Sequence, residues 1–157
     1  MKTKINIRDI LDIRSIVVGL EVKDKDELLE TMVELAAESG NVLDTDEAKE
    51  RIFAREKLMS TGVGNGVALP HAKTNQIVKT VGAFAVLSEP VEYDALDNQP
   101  VQIVLMILGK ETNVGEHLKL LSGISKLLSK DSFIAEILEA ETSDGILEIF
   151  ENYENQS

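Results

Sequence analysis

Histidine is the side chain whose ordinary pKa lies close to neutrality, so a ring nitrogen with a usable lone pair is at hand without a metal or a cofactor. The sequence contains two, His71 and His117. His71 follows Pro70 directly, at the end of a short apolar stretch, Val67–Leu69, that reads as a strand. Proline fixes its own φ and has no N–H, so the backbone entering His71 is stiff. Just upstream lies Ser60–Gly66, STGVGNG, with glycines at alternate positions. Such a stretch cannot form regular helix. Its Ser60 and Thr61 hydroxyls, together with the backbone around Gly64 and Asn65, can offer donors to an anion with no large side chain in the way. An imidazole beside a donor-rich loop suits nucleophilic chemistry on an anionic group. Each part also has a plainer reading: a hydrogen-bonded surface histidine, and a turn that joins helix to strand.

His117 is expected in the first turn of a helix, with Asn113 as N-cap and Glu116 three residues on as a capping box. The partial positive charge of a helix start disfavours imidazolium and favours a nearby anion. A neutral ring there can donate to an anionic oxygen; equally, it can be half-covered by its own helix. Arg55 falls at the edge of the apolar stripe of an earlier helix, near its C-terminus. A cation there complements the helix dipole, worth about 0.3–1 kcal/mol. Aimed inward, the same guanidinium would clamp an oxyanion with two N–H groups. Several other chemistries lack their signatures. Gly62, Gly64 and Gly66 give neither a dinucleotide fingerprint nor a P-loop. The two histidines lack zinc spacing, so no metal is expected. There is no G-x-S-x-G and no cysteine, so no hydrolase nucleophile, thiolate site or disulfide is indicated.

These residues need elements to hold them. Ser15–Val22 is β-branched and reads as a strand. Asp24–Ser39 has apolar residues at helical spacing, an Asp24/Glu27 capping box and Gly40 as its stop. A second helix is expected from Thr45 as N-cap through Ala48, Ile52 and Leu58, packed back on the first. Val78–Leu87 and Val101–Leu108 read as strands, the latter buried on both faces because its residues do not alternate. Between them, Ser88–Pro100 is rich in turn residues and leaves room for one short edge strand at Val91–Tyr93. Helices are expected over Gly115–Ser129, Asp131–Glu139 and Ser143–Asn152. The order implies an α/β three-layer sandwich: a mixed parallel and antiparallel sheet with helices on both sides.

The 157 residues suit one domain, read as 1–157 with its core at about 7–152. The net charge of −12 argues against nucleic acid as a partner, since phosphate backbones are held by clustered Lys and Arg. Past Lys130 the chain carries carboxylates and no cation, as solvated helix faces or as a patch for a basic partner. The opening MKTKINIRDILDIR mixes charges with apolar residues and lacks the apolar run of a signal peptide. The apolar run Val101–Leu108 falls well short of the roughly 20 residues a membrane span requires. A cytoplasmic location without membrane insertion is expected.

The stretch Arg55–Ala72, REKLMSTGVGNGVALPHA, resembles the active-site signature of the fructose/mannitol type of EIIA domain (EIIA type 2). This family belongs to the phosphoenolpyruvate-dependent sugar phosphotransferase system and includes a nitrogen-regulatory branch. Its pattern runs from an acid through an apolar-Gly pair to apolar-Ala-apolar-Pro-His and a small residue. Here Glu56, Val63, Gly64, Val67, Ala68, Leu69, Pro70, His71 and Ala72 fill it. Gly115–Leu118, GEHL, matches a second hallmark, a histidine that opens a helix after a buried strand. The resemblance covers essentially the whole chain. It implies that His71 accepts a phosphoryl group from the phosphohistidine of the carrier HPr and passes it to an EIIB domain, typically onto a cysteine. Arg55 and His117 would surround the phosphohistidine, with Ser60, Thr61, Gly64 and Asn65 as further phosphoryl-binding groups, and no cofactor is called for. In the regulatory branch, the phosphorylation state would instead govern binding to target proteins.

Overall fold

A computed structural model describes residues 7–155; the opening residues 1–6 and residues 156–157 lie outside the described residues, so part of the leader reading and both ends of the domain range are left there. The framework is a sheet of six strands in the order β1-β5-β6-β3-β2, with β4 also paired to β6. Strand β1 (Ile16–Leu20) runs parallel to β5 (Val81–Val91), which is antiparallel to β6 (Val101–Gly109). Strands β3 (Val67–Ala68) and β4 (His71–Lys73) run parallel to β6, and β2 (Gly62–Gly64) runs antiparallel to β3.

The central strands explain why helices must cover both faces. Along β5 and β6, Ala83, Ala85, Leu87, Val104, Met106 and Leu108 face one core, while Phe84, Val86, Ile103, Leu105 and Ile107 face the other. Neither face has enough polar side chains to meet water, as the unalternating VQIVLMIL run implied. Helices α2 (Lys25–Ala37) and α3 (Thr45–Leu58) cover the first face through Leu28, Leu29, Met32, Ala48 and Ile52. The second is covered by α1 (Ile7–Ile10), α4 (Val114–Leu128), α5 (Asp131–Glu139) and α6 (Ser143–Glu154), with Phe133 and Phe150 packed edge to face. The expected α/β sandwich with a mixed sheet is the observed architecture.

Local signals are modified where tertiary packing intervenes. Helix α2 is capped by Asp24, whose side chain accepts from Glu27 N–H at 2.9 Å, but Glu27 reaches back to Lys23 N–H rather than to the cap. The N-cap of α3 is Asp44, not Thr45; its carboxylate accepts from Glu47 N–H at 3.0 Å, a stronger acceptor for the positive helix end than a hydroxyl. No side-chain cap bond forms at Asn113, so the capping box expected at α4 is absent. Nor is there a separate edge strand at Val91–Tyr93. Val91 is the last residue of a long β5, and Tyr93 is fully buried beyond it.

The glycine-rich segment is a hairpin. Asn65 (φ 56°) and Gly66 (φ 79°) form a two-residue turn between β2 and β3, the positive-φ geometry that an Asn-Gly pair accepts most readily. Beyond it the chain runs along β6 as one interrupted strand. Val67 and Ala68 pair with Ile103 and Val104, and His71 resumes opposite Ile107 without a change of register. The break falls at Leu69–Pro70, where proline has no N–H to give; its carbonyl still accepts from Ile107 N–H at 3.0 Å. His71 therefore opens a strand instead of closing one.

Candidate functional site

Three elements meet at one end of the sheet: the start of β4, the C-terminal end of α3 and the first turn of α4. His71 shares the parity of Val67 and Leu69, whose side chains face the α4 side of the sheet. Helix α4 begins soon after β6 ends at Gly109, which brings His117 over the same spot. The two ring centroids are 5.9 Å apart.

Each imidazole is in a defined state. The His71 Nδ1 lies 2.8 Å from the Leu69 carbonyl oxygen. A carbonyl can only accept, so Nδ1 carries the proton and Nε2 keeps its lone pair. Burial lowers the His71 pKa below its ordinary value; the Leu69 bond opposes this, the Arg55 charge adds to it, and the Glu56 charge opposes it. The ring is thus neutral at pH 7. His117 is almost wholly buried, and its pKa is pushed down to about 4, first by burial and then by the His71 and Lys73 charges. Its Nδ1 is buried and has no hydrogen-bond partner among the described residues. A stranded lone pair is tolerated better than a stranded N–H, so the proton belongs on Nε2. The room for this ring comes from Gly109: a Cβ there would sit 2.2 Å from His117 Nδ1.

Arg55, in the last turn of α3, donates from Nη1 to the Met59 carbonyl at 3.0 Å. This is the plain capping role, yet the same guanidinium is close enough to depress the His71 pKa. The guanidinium fork has donors beyond the one given to Met59. His117 thus stands beside His71, and the Arg55 charge reaches the same ring, the grouping that the family resemblance implied.

The loop residues expected to bind a phosphoryl group are placed otherwise. Asn65 donates its backbone N–H to Asp97 at 3.0 Å, and a Cβ on Gly64 would meet the same carboxylate. Both sit at the hairpin tip, and Gly66 bonds to Gln102 and Ile103 on β6, whereas His71 pairs with Ile107 further along that strand. An acidic side chain, Asp97, already takes the Asn65 donor there. Thr61 and Ser60 lie nearer, since Thr61 accepts from Leu69 N–H at 2.9 Å, but their hydroxyls are committed. Ser60 donates to the Tyr93 carbonyl at 3.2 Å. Thr61 donates to Glu56 at 2.6 Å and also meets the Tyr93 hydroxyl at 2.9 Å.

Behind the site lies a polar group that sequence reading did not assign. Glu56, until now only the acid of the motif, is buried and paired with Lys25 at 3.0 Å, while Lys25 lies 4.4 Å above the Tyr93 ring. A signal was present: Glu56 continues the stripe Ala48–Ile52 at four-residue spacing, so a carboxylate due for burial needed a partner. Lys25 and Tyr93 carry no comparable signal, because each comes from a remote segment. Among the described residues, no group of three or more His, Asp or Glu side chains could hold a metal ion, and no helix is long and apolar enough to cross a membrane.

Residues 9–153 match the profile of a family described as "Phosphoenolpyruvate-dependent sugar phosphotransferase system, EIIA 2". The fructose-specific EIIABC component of Bacillus subtilis is 35% identical over 148 residues, covering 94% of this chain but only 23% of that protein. A nitrogen regulatory protein of Bradyrhizobium diazoefficiens is 38% identical over 136 residues, 85% of this chain and 86% of that one. Among solved structures, the nitrogen regulatory protein IIA-Ntr of Neisseria meningitidis superposes with a TM-score of 0.86 at 35% identity, covering 92% of this chain and 98% of that one.

Proposed function

The chain belongs to the EIIA type 2 family of the phosphoenolpyruvate-dependent sugar phosphotransferase system, a phosphotransfer component, and on that footing we propose that His71 is its phosphoryl acceptor. The donor is phospho-HPr and the onward acceptor an EIIB domain. The observation that carries this reading is the Leu69 carbonyl on His71 Nδ1, which leaves Nε2 as the nucleophile beside a second imidazole and a guanidinium.

In the step, the Nε2 lone pair forms a bond to phosphorus while the donor's P–N bond breaks, its electron pair returning to the donor imidazole. The His71 proton stays on Nδ1, against Leu69. Transfer of this kind is mostly positioning and charge stabilisation. Arg55 supplies a fixed positive charge, and the His117 Nε2–H donates to a phosphoryl oxygen. The reverse geometry serves the onward transfer. Exposed apolar side chains on the same two segments, Leu58 and Met59 beyond Arg55 and Val114 and Leu118 around His117, suit protein rather than small-molecule partners.

The test is labelling from phosphoenolpyruvate in the presence of the two general carrier proteins. His71→Ala should abolish the label; label retained at another residue overturns the assignment. Arg55→Ala and His117→Ala should each slow transfer by about 10²–10³-fold, as for loss of an oxyanion donor, with unchanged far-ultraviolet circular dichroism. A second reading is favoured by the similarity to nitrogen regulatory proteins: phosphorylation of His71 would control binding to target proteins instead of sugar uptake. Transfer to candidate EIIB proteins supports the carrier role, and binding of a partner by only one phosphorylation state supports the regulatory one.

A further inference from the structure

Glu56 has no part in the step just described, yet its bonds to Thr61 can be followed toward the nucleophile. Its side chain is only 5% exposed, and Oε2 is paired with Lys25 at 3.0 Å. The same oxygen accepts Thr61 N–H at 2.8 Å, and Oε1 accepts the Thr61 hydroxyl at 2.6 Å. The Tyr93 hydroxyl adds a longer bond to Oε1 at 3.3 Å. The Thr61 carbonyl then accepts Leu69 N–H at 2.9 Å, and the Leu69 carbonyl accepts His71 Nδ1–H at 2.8 Å. An ionised carboxylate is retained in a buried place only when its charge is balanced and its oxygens are satisfied, conditions that Lys25, Thr61 and Tyr93 meet.

We propose that Glu56 is a positioning residue for His71: anchored by Lys25 and Tyr93, it holds Thr61, and through the Thr61–Leu69 bond it holds the carbonyl that selects which His71 nitrogen bears the proton. The charged or titratable groups facing His71 are Glu56 and Arg55, of opposite sign, and His117. Removing the Glu56 charge leaves Arg55 unopposed. The consequence for rate rests on His71 being the phosphoryl acceptor; the tautomer does not.

The experiment compares the full chain, ¹⁵N-labelled, with Glu56→Gln by imidazole ¹H–¹⁵N correlation across pH. The native protein should show His71 as one Nδ1–H tautomer. Glu56→Gln should show a mixture of tautomers and a lower His71 pKa. Transfer from phospho-HPr should fall about 10- to 100-fold in maximal rate with KM unchanged, the scale expected when a reacting atom is misplaced. Thr61→Val should move both readouts in the same direction by less, and Thr61→Ser should restore them. A folded Glu56→Gln with native tautomer and pKa overturns the proposal. If Glu56→Gln does not fold, the threonine pair decides, and identical His71 spectra for Thr61→Val and Thr61→Ser overturn it. A tautomer change in a protein whose native form accepts no phosphoryl group upholds the positioning role and refutes the proposed function.

Discussion

His71 and His117 are the same side chain made different by one neighbour each. The carbonyl against His71 Nδ1 leaves its Nε2 lone pair unshared, whereas His117 Nδ1, with no partner among the described residues, favours the opposite tautomer. One ring is thereby suited to attack and the other to donate. The same burial has a measurable effect on stability. The folded-state pKa of His117, about 4, lies below its ordinary value of 6.5, so between those values the unfolded chain binds a proton that the folded chain refuses. The contribution of this ring to stability is fully present above pH 6.5 and is lost as the pH drops toward 4; the lowered His71 pKa acts in the same direction. Urea midpoints measured from pH 7 to 4 should therefore decline more steeply for the native chain than for His117→Gln. Parallel curves would show that the buried ring is not held neutral.

At the level of elements, the site depends on close approaches that only glycine permits. Gly109 ends β6 where the His117 ring crosses it. Gly109→Ala should displace that ring and slow transfer about as much as His117→Ala does, with the helix content retained. An unaffected rate would mean that His117 does not touch the phosphoryl group. Gly62 plays a corresponding role behind the site. A Cβ there would lie 2.7 Å from the Ala95 Cβ and 2.9 Å from its Cα, so Ala at this position would push away the segment that carries Tyr93. The interruption at Leu69–Pro70 matters as much. There the Pro70 carbonyl stays on β6 through Ile107 N–H, while Leu69, turned to the opposite side with its N–H on Thr61, gives its carbonyl to His71.

Across the whole molecule, the site sits where a single sheet, shared by two cores, presents the ends of strands and helices from both layers. Arg55 arrives from the α2–α3 layer and His117 from the α4–α6 layer, each referred to the same β6. Because β5 and β6 supply residues to both cores, neither side should unfold alone. Leu29→Ala on one face should destabilise the protein by about 2–5 kcal/mol, and Phe133→Ala on the other by about 3–5 kcal/mol. Each should shift one urea transition followed by circular dichroism. A transition split in two by either substitution would show that the two layers are independent.

Much of this was legible from residue order, and the limit of legibility has a physical form. Strand and helix identities, the doubly buried β6 and the Asp24 cap follow from periodicity and turn chemistry, which act over a few residues, while the proposed trio Arg55, His71 and His117 was joined by the family motif. The capping box at Asn113 and the edge strand at Val91–Tyr93 were read on the same local grounds and did not form. Asp97, from a separate loop, takes the Asn65 N–H, and Tyr93 is drawn inward to Glu56 and Thr61. Sequence alone determined which groups could do the chemistry, because side-chain type and local spacing are written in the chain. Tertiary structure alone decided which carboxylate stands behind the site, because its partners lie up to 37 residues away in sequence and come into hydrogen-bond contact only when the layers close.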